Sequence, residues 1–193
     1  MASLHYVWGS MNSSKSAQLL MTWHNYEEQG YRVLVVKPKI DTRDGEYIKS
    51  RALDVRRKAD IVIGKDDIGL IYAIGLDYDV ILIDESQFLT KEQVNELGDI
   101  VDFLNIPIMA YGLKTDYFGQ LFEGSKRLIE IADKFQEIKT VCPCCGGKAI
   151  FNMRIDEETK EPVFGGEQIS VGFNYQPVCR KYYNELKEKC TNK

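Results

Sequence analysis

The sequence predicts an α/β fold with a mainly parallel sheet, followed by a small β-rich region. Four apolar runs are typical of buried parallel strands: residues 4–8, 32–36, 80–83 and 106–111. Between them, apolar side chains recur at helical spacing: Leu19, Trp23 and Tyr26, then Val94, Leu97, Val101 and Leu104. A repeated strand, helix, strand order favours parallel strands with helices on the faces of the sheet.

The character of the sequence changes after Ala132. Short alternating segments, a group of cysteines and the turn-rich residues 156–166 indicate a second, β-rich unit. We therefore predict a main domain at residues 1–138 and a small cysteine-containing domain at residues 139–193.

Composition excludes several classes of function. The formal net charge is -4, and the basic residues are scattered, so we expect no nucleic-acid partner. No run reaches the roughly 18 apolar residues of a membrane span, and the first residues lack the pattern of a secretory signal. We expect a cytoplasmic protein without a membrane partner. Five cysteines, an odd number, suit reduced thiols or a metal site better than a disulfide framework.

A candidate phosphate loop lies between the first predicted strand and helix. Its eight residues are Gly9, Ser10, Met11, Asn12, Ser13, Ser14, Lys15 and Ser16. They approach the pattern G-x-x-x-x-G-K-[ST], with Ser14 where the second glycine belongs. In such loops backbone N–H groups and the lysine bind phosphates and the hydroxyl holds Mg²⁺, roles that Lys15 and Ser16 fill. The setting favours ATP binding over an ordinary polar turn, with strain at Ser14 if its backbone angles disfavour a Cβ.

Two carboxylates follow the third apolar run. Asp84 and Glu85 come directly after residues 80–83, where a metal-binding aspartate lies beside a phosphate loop in many nucleotide-binding proteins. Asp84 would support Mg²⁺, directly or through water, and Glu85 would accept the proton of an attacking hydroxyl. An isolated pair at a strand end would more simply be solvated. Together with Lys15 and Ser16, the pair indicates catalysis.

Several motifs occur in one order along the chain. They are KPKIDTRDG at residues 37–45, IDESQF at 83–88, YGLKTDYFGQLF at 111–122, and the late Cys-x-x-Cys and CRK elements. Together they resemble the type II thymidine kinase family across nearly the whole chain. The resemblance implies a RecA-like P-loop domain and a small zinc-carrying domain with a lasso loop that closes over thymidine. It also implies phosphate transfer from ATP to thymidine, with Mg²⁺, and usually a homotetramer.

The resemblance also implies roles for individual residues. The loop from Gly9 to Ser16 matches the family's ATP loop, and further nucleotide contacts fall on Asp41, Thr42, Arg43, Asp84, Ser86 and Gln87. Glu85 falls on the catalytic base. The thymidine contacts fall on Tyr117, Val171, Gly172, Phe173, Asn174 and Tyr175. Without the family match, the simpler interpretation is that Tyr117 packs in the hydrophobic core and that Arg43 forms an ion pair at the surface.

The predicted zinc site departs from the family pattern. Three of four ligands match, at Cys142, Cys145 and Cys179, but Tyr182 occupies the fourth position. A phenol is a poor zinc ligand at neutral pH, since its pKa lies near 10. Cys144 could replace its neighbour, or Cys190 could approach from the tail, so the fourth ligand stays open.

Two other functions compete with the kinase. A P-loop NTPase of another purpose would use Glu85 to activate water instead of a sugar hydroxyl. A degenerate nucleotide-binding protein would have lost turnover, and the retention of Lys15, Ser16, Asp84 and Glu85 together argues against that reading.

Overall fold

The computed structural model describes residues 1–50, 52–166, 168 and 174–191. The strands in chain order are β1 (Leu4–Gly9), β2 (Val33–Pro38), β3 (Tyr47–Ser50), β4 (Val55–Lys58), β5 (Ile61–Ile63), β6 (Val80–Ile83), β7 (Ile108–Gly112), β8 (Lys134–Ile138), β9 (Thr140–Val141), β10 (Lys148–Ala149), β11 (Phe151–Ile155) and β12 (Asn174–Val178). The helices are α1 (Lys15–Glu28), α2 (Leu70–Gly75), α3 (Lys91–Asp99), α4 (Glu123–Ile131) and α5 (Arg180–Thr191). Among these residues no helix has the length and apolar character needed to cross a membrane.

Six strands form one sheet in the order β5-β2-β6-β7-β1-β8, and every pairing within it is parallel. The four predicted strand runs correspond to β1, β2, β6 and β7. This confirms the predicted α/β fold with a mainly parallel sheet. Because parallel strands all point the same way, the loops after β1, β2, β6 and β7 meet at one edge.

The sheet is buried on both faces. Leu34 of β2 and Ile81 of β6 belong to one apolar core, and Val35 and Leu82, the next residue of each strand, belong to the other. Successive side chains of a strand point to opposite faces, so two cores require an unbroken apolar run. This explains why these strands were recognisable from the sequence.

Local signals set the bounds of α3. The Thr90 hydroxyl accepts a hydrogen bond from the Gln93 N–H, and the Gln93 side chain accepts one from the Thr90 N–H, which together form a capping box. A π-helical turn, Ile100–Leu104, continues the apolar stripe, and Asn105 ends it at a φ of 54°. The helix predicted before Asn105 is therefore present but changes its geometry in the last turn.

The region after β8 is built from smaller units. β9 pairs with β10 and β11 pairs with β12, both antiparallel. Its apolar core includes Met153, Val178 and Tyr183, and the Phe151 ring stacks on the Tyr183 ring at 4.5 Å. The β-rich character predicted for this region is confirmed. The six-stranded sheet ends at Ile138, and the division into domains at that residue stays a prediction.

Candidate active site

The loop that follows β1 encloses a compact cleft. Residues 11–17 line it from one side, together with Asp84 and Glu85 after β6 and Leu113 after β7. Gly9 permits the turn, because a Cβ there would lie 2.5 Å from Ser13 Oγ and 2.7 Å from the Ile138 carbonyl oxygen. The loop ends at Ser14, whose carbonyl accepts the first hydrogen bond of α1, from the Gln18 N–H.

Two residues of this loop have left-handed backbone angles. Asn12 has a φ of 58° and Ser14 a φ of 63° with a ψ of 27°. Asparagine tolerates this region better than most residues, whereas serine adopts it at a cost. The expected strain at Ser14 is therefore present in the structure.

Lys15 is buried at the start of α1. Its Nζ lies 2.8 Å from the Ser10 carbonyl oxygen and 3.3 Å from Ser13 Oγ, so the ammonium group is held inside the curve of the loop. Burial lowers the pKa of Lys15, and the carboxylates of Glu85 and Asp84 oppose that shift without cancelling it. The lysine is placed to exchange loop oxygens for those of a phosphate group.

Asp84 and Ser16 form an oxygen-rich pair on the floor of the cleft. Ser16 Oγ lies 3.2 Å from Asp84 Oδ2 and 3.4 Å from Oδ1. Burial raises the pKa of Asp84 to about 7, and the negative charge of Glu85 adds to the effect. A hydroxyl beside a carboxylate that lacks a full counter-charge suits Mg²⁺, which prefers oxygen ligands. The residues present therefore fit a magnesium ion.

Glu85 is held from both sides. Its Oε1 accepts a hydrogen bond from Arg43 Nη2 at 2.5 Å, and its Oε2 accepts one from Gln87 Nε2 at 2.5 Å. Its backbone lies in the left-handed region, with a φ of 49°. A non-glycine residue in that region at a cleft is a mark of functional sites, because the surrounding structure must compensate for the strain.

Arg43 and Lys37 share a second carboxylate, that of Asp41. Arg43 Nε lies 2.6 Å from Asp41 Oδ1, and Lys37 Nζ lies 3.1 Å from Asp41 Oδ2. Burial alone would raise the pKa of Asp41, but the hydrogen bond and charge of Arg43, with the charge of Lys37, hold it below its ordinary value. Arg43 is itself exposed, but it bridges the carboxylates of Asp41 and Glu85, so it belongs to a charge network and is not an isolated surface pair.

Gln87 and Ser86 lie behind the cleft. The Gln87 Oε1 accepts the Leu113 N–H at 2.9 Å, which links the Glu85 carboxylate to the end of β7. Gly112 is required here, since a Cβ would lie 2.6 Å from Ser86 Oγ and 2.8 Å from Gln87 Oε1. Both side chains are buried and neither lines the cleft, so the nucleotide contacts predicted for Ser86 and Gln87 are not visible in this structure and stay a prediction.

Tyr117, from the segment after β7, lies against the β-rich region, where Arg154 contacts both its ring and that of Tyr175. The Arg154 guanidinium covers the Tyr117 ring at 3.6 Å from its centre and lies 5.7 Å from the centre of the Tyr175 ring. The Tyr117 hydroxyl lies 2.9 Å from the Gly166 carbonyl oxygen. Tyr117 is only 1% exposed, so its ring is packed in the structure. Of the other predicted thymidine contacts, Asn174 and Tyr175 open β12, and residues 171–173 lie outside the described residues.

Three cysteines converge beside β9 and β12. The Sγ atoms of Cys142, Cys145 and Cys179 lie within 4.8 Å of one another, with 3.6 Å between those of Cys145 and Cys179. Zinc bonds to sulfur of about 2.3 Å in a tetrahedron place the sulfurs roughly 3.8 Å apart, so this set fits zinc. Burial would raise the pKa of Cys142, but backbone hydrogen bonds outweigh it and bring the pKa to about 7. Among the described residues, Cys144 and Cys190 do not join the group.

Comparison with known proteins decides the family. The family model described as "Thymidine kinase" matches residues 2–183. The chain belongs to the thymidine kinase family. The predicted resemblance is thereby confirmed over nearly the whole chain.

Named relatives of the thymidine kinase family agree closely in length. A thymidine kinase of Streptococcus pyogenes serotype M3 is 48% identical over 187 residues, which cover 95% of this chain and 97% of the relative. The thymidine kinase of Enterobacteria phage T4 is 47% identical over 193 residues, covering 98% and 99%. A replication initiator DnaA structure, bound to AMPPCP and single-stranded DNA, gives a TM-score of 0.43 at 18% identity. It covers 72% of this chain and 40% of its own, and a score this low supports no inference.

Several residues of this thymidine kinase family site were missed from the sequence. Lys37 and Leu113 line the cleft, as do Tyr47 and Lys49 of the β3–β4 hairpin. The hairpin strands are short and mostly polar, with an exposed, buried alternation over only four residues of β3. Lys37 is the first residue of the KPKIDTRDG motif, so its membership of that motif could have indicated a place in the site.

Proposed function

We propose that this chain transfers the γ-phosphate of ATP to the 5′-hydroxyl of thymidine, giving thymidine monophosphate in nucleoside salvage. The observation that supports this proposal most directly is the position of Glu85. Arg43 and Gln87 hold its carboxylate at the cleft that the candidate phosphate loop lines. Membership of the thymidine kinase family supports the choice of substrate.

The phosphate loop supplies the nucleotide contacts in this proposal. Residues 9–16 bind the phosphates through backbone N–H groups at the start of α1, whose first turn has no internal partners for them. Lys15 leaves the Ser10 carbonyl for the β and γ phosphates, and its charge compensates theirs. Arg43, beside Asp41 and Thr42, contacts the phosphates from the opposite wall.

Ser16 and Asp84 would hold the magnesium ion that the family implies. Their oxygen atoms lie 3.2 Å apart, which supports a shared role in binding one cation. When bound, Mg²⁺ neutralises charge on the β and γ phosphates. Ser86 and Gln87 support this floor from behind, by contacts with the protein.

Glu85 acts as the general base. Its carboxylate accepts the proton of the 5′-hydroxyl as that oxygen forms a bond to the γ phosphorus, and the bond to the bridging oxygen of ADP breaks. The two hydrogen bonds from Arg43 and Gln87 fix the carboxylate before substrate arrives. Such positioning reduces the reorganisation that the reaction requires.

The β-rich region supplies the base pocket and a structural metal in this proposal. We assign thymine contacts to Tyr117 and residues 171–175. The accessibility of Asn174 and Tyr175 supports their part of this assignment, whereas Tyr117 is covered by Arg154 and would have to be uncovered to touch the base. Cys142, Cys145 and Cys179 would hold zinc, with the fourth ligand open. We also propose that the chain forms two domains, at residues 1–138 and 139–193. We propose that it assembles as a cytoplasmic homotetramer without a nucleic-acid partner, and light scattering would test the oligomeric state.

A nucleoside panel tests the proposed function. ADP formation is measured with Mg²⁺ and ATP, adding each natural deoxynucleoside in turn, with a no-nucleoside control. We expect thymidine to give the highest kcat/KM and the control to give almost no ADP. Equal ADP formation without nucleoside would instead indicate an NTPase. No ADP under any condition would indicate a degenerate nucleotide-binding protein.

A further inference from the structure

A buried amide of the β-rich region holds the phosphate loop. The Oδ1 atom of Asn152 in β11 accepts a hydrogen bond from the Met11 N–H at 2.7 Å, although the two residues lie 141 positions apart. The Nδ2 atom of Asn152 donates to the Thr115 carbonyl oxygen at 3.1 Å. Asn152 is 3% exposed. One side chain therefore joins β11 to the phosphate loop and to the segment after β7.

The chemistry of these two bonds fits an amide. The Met11 N–H can only donate and the Thr115 carbonyl can only accept, so the side chain between them must offer one acceptor and one donor. This requirement also fixes the orientation of the Asn152 amide. A carboxylate offers acceptors alone and an alanine offers neither group. Loss of the amide would leave a backbone donor and a backbone acceptor without these partners.

The same face of β11 reaches the predicted base pocket. Residues two apart on a strand point to one face, so Asn152 and Arg154 lie side by side. Arg154 covers the Tyr117 ring at 3.6 Å, and its Nη1 lies 3.3 Å from the Gly165 carbonyl oxygen. Met153, between them, points into the apolar core of the β-rich region. One short strand thus contacts the base side and the phosphate side of the site.

We propose that Asn152 is a positioning residue that couples nucleoside binding to the phosphate loop. Nucleoside held against Tyr175, the partner of Arg154 across β12 and β11, restrains β11, and the Asn152–Met11 hydrogen bond passes that restraint to the loop that receives ATP. The inference rests on the proposed function, because it takes thymidine as the ligand of the β-rich region. Its consequence is reciprocal: each substrate tightens the binding of the other by the same factor.

The test compares binding of a non-hydrolysable ATP analogue with and without saturating thymidine, by calorimetry. In the wild type we expect thymidine to tighten analogue binding at least about fivefold, the lower end of typical coupling between sites. The coupling ratio is the Kd of the analogue without thymidine divided by its Kd with thymidine. In Asn152→Ala we expect this ratio to lie within about twofold of one, because the hydrogen bond between β11 and the phosphate loop is removed. A general loss of stability would not change the ratio selectively.

Gln93→Ala is the matched control. Gln93 is an equally buried amide, and its Nε2 donates to the Gly64 carbonyl oxygen at 2.7 Å, away from the phosphate loop. We expect this variant to keep the wild-type coupling ratio. Loss of coupling in both variants, full coupling in Asn152→Ala, or no coupling in the wild type would each overturn the proposal.

Hydrogen exchange of the wild-type protein covers the case in which Asn152→Ala does not fold. Thymidine alone, without nucleotide, should slow amide exchange in residues 9–16, including Met11. Unchanged exchange in that segment would overturn the coupling. Thymidine-dependent ADP formation by the wild type is measured on the same sample. If that activity is present and coupling is absent, this inference fails while the proposed function stands.

Discussion

The carboxyl edge of the parallel sheet and the β-rich region after it organise polar groups in different ways. At the sheet edge, charged groups pair with one another: the exposed Arg43 bridges Asp41 and Glu85, and the buried Lys15 lies inside its loop. In and beside the β-rich region, three thiols lie close enough together to bind a metal, and two tyrosine rings lie around the Arg154 guanidinium. Under the proposed function, the sheet edge would carry out the phosphate chemistry and the β-rich region would recognise the nucleoside.

The difference follows from how each region is held. Every residue of β2 is buried, and its neighbours in the sheet fix it on both sides. β11 has one partner strand, β12, and its residues alternate around a small core. A residue fixed by a six-stranded sheet has less freedom than one on a two-stranded ribbon. Variants at the sheet edge should therefore change rates most, and variants elsewhere should change stability or binding.

The largest effect is expected for Glu85→Gln. Loss of a positioned general base should lower kcat by about two to four orders of magnitude, while affinity for the ATP analogue stays within a few fold. Steady-state ADP formation and calorimetry measure the two quantities. Glu46→Gln is the control, because Glu46 forms an exposed pair with Lys58 and should keep full activity. Turnover close to wild type in Glu85→Gln would remove Glu85 from the chemistry.

Lys15→Ala comes next. A charge that contacts phosphates acts in the ground state and the transition state alike, so both ATP affinity and kcat should fall. Hydrogen bonds from charged groups contribute about 1.5–3 kcal/mol, which corresponds to roughly 10–150-fold in affinity. Calorimetry with the ATP analogue measures it, and Lys39→Ala, at an exposed lysine, serves as the control. Unchanged affinity would contradict the phosphate-loop assignment.

The metal site gives a smaller effect, on stability. Because Tyr182 stands where a fourth ligand belongs, we expect clearly less than one tightly held zinc per chain. Tyr182→Cys should raise zinc occupancy and Tm, by about 2–4 °C for each kcal/mol gained. Metal analysis after chelator treatment and thermal unfolding measure these, with Tyr182→Phe as the control. Full, chelator-resistant zinc in the wild type would mean that another group supplies the fourth ligand.

Ser14→Gly should have the smallest effect. Relief of about 1 kcal/mol of left-handed strain would raise kcat/KM for ATP several-fold. The matched control is Asn12→Gly, at a φ of 58° that asparagine tolerates, which should gain less. Steady-state kinetics compare the two. Equal kinetics for Ser14→Gly and the wild type would show that the strain has no functional cost.

Much of the sheet could be predicted from the sequence, because strands buried on both faces leave continuous apolar runs. β8 was missed, since an edge strand with exposed Lys134 and Phe135 lacks such a run. The loop at residues 9–16 and the Asp84–Glu85 pair carry local patterns, and the structure places both segments at one cleft. Asn152 carries none: its role depends on a contact across 141 positions, which one sequence does not encode locally. The cover of Tyr117 by Arg154 is equally a product of tertiary structure.

We infer that the sheet edge transfers phosphate to the 5′-hydroxyl of the nucleoside held beside it. The most direct measurement is the product ratio in reactions with ATP, Mg²⁺ and either thymidine or 5′-deoxythymidine, which lacks the accepting hydroxyl. We expect one thymidine 5′-monophosphate for each ADP with thymidine, and no ADP above background with 5′-deoxythymidine. Equal ADP formation with both compounds would contradict it, because water would then be the acceptor.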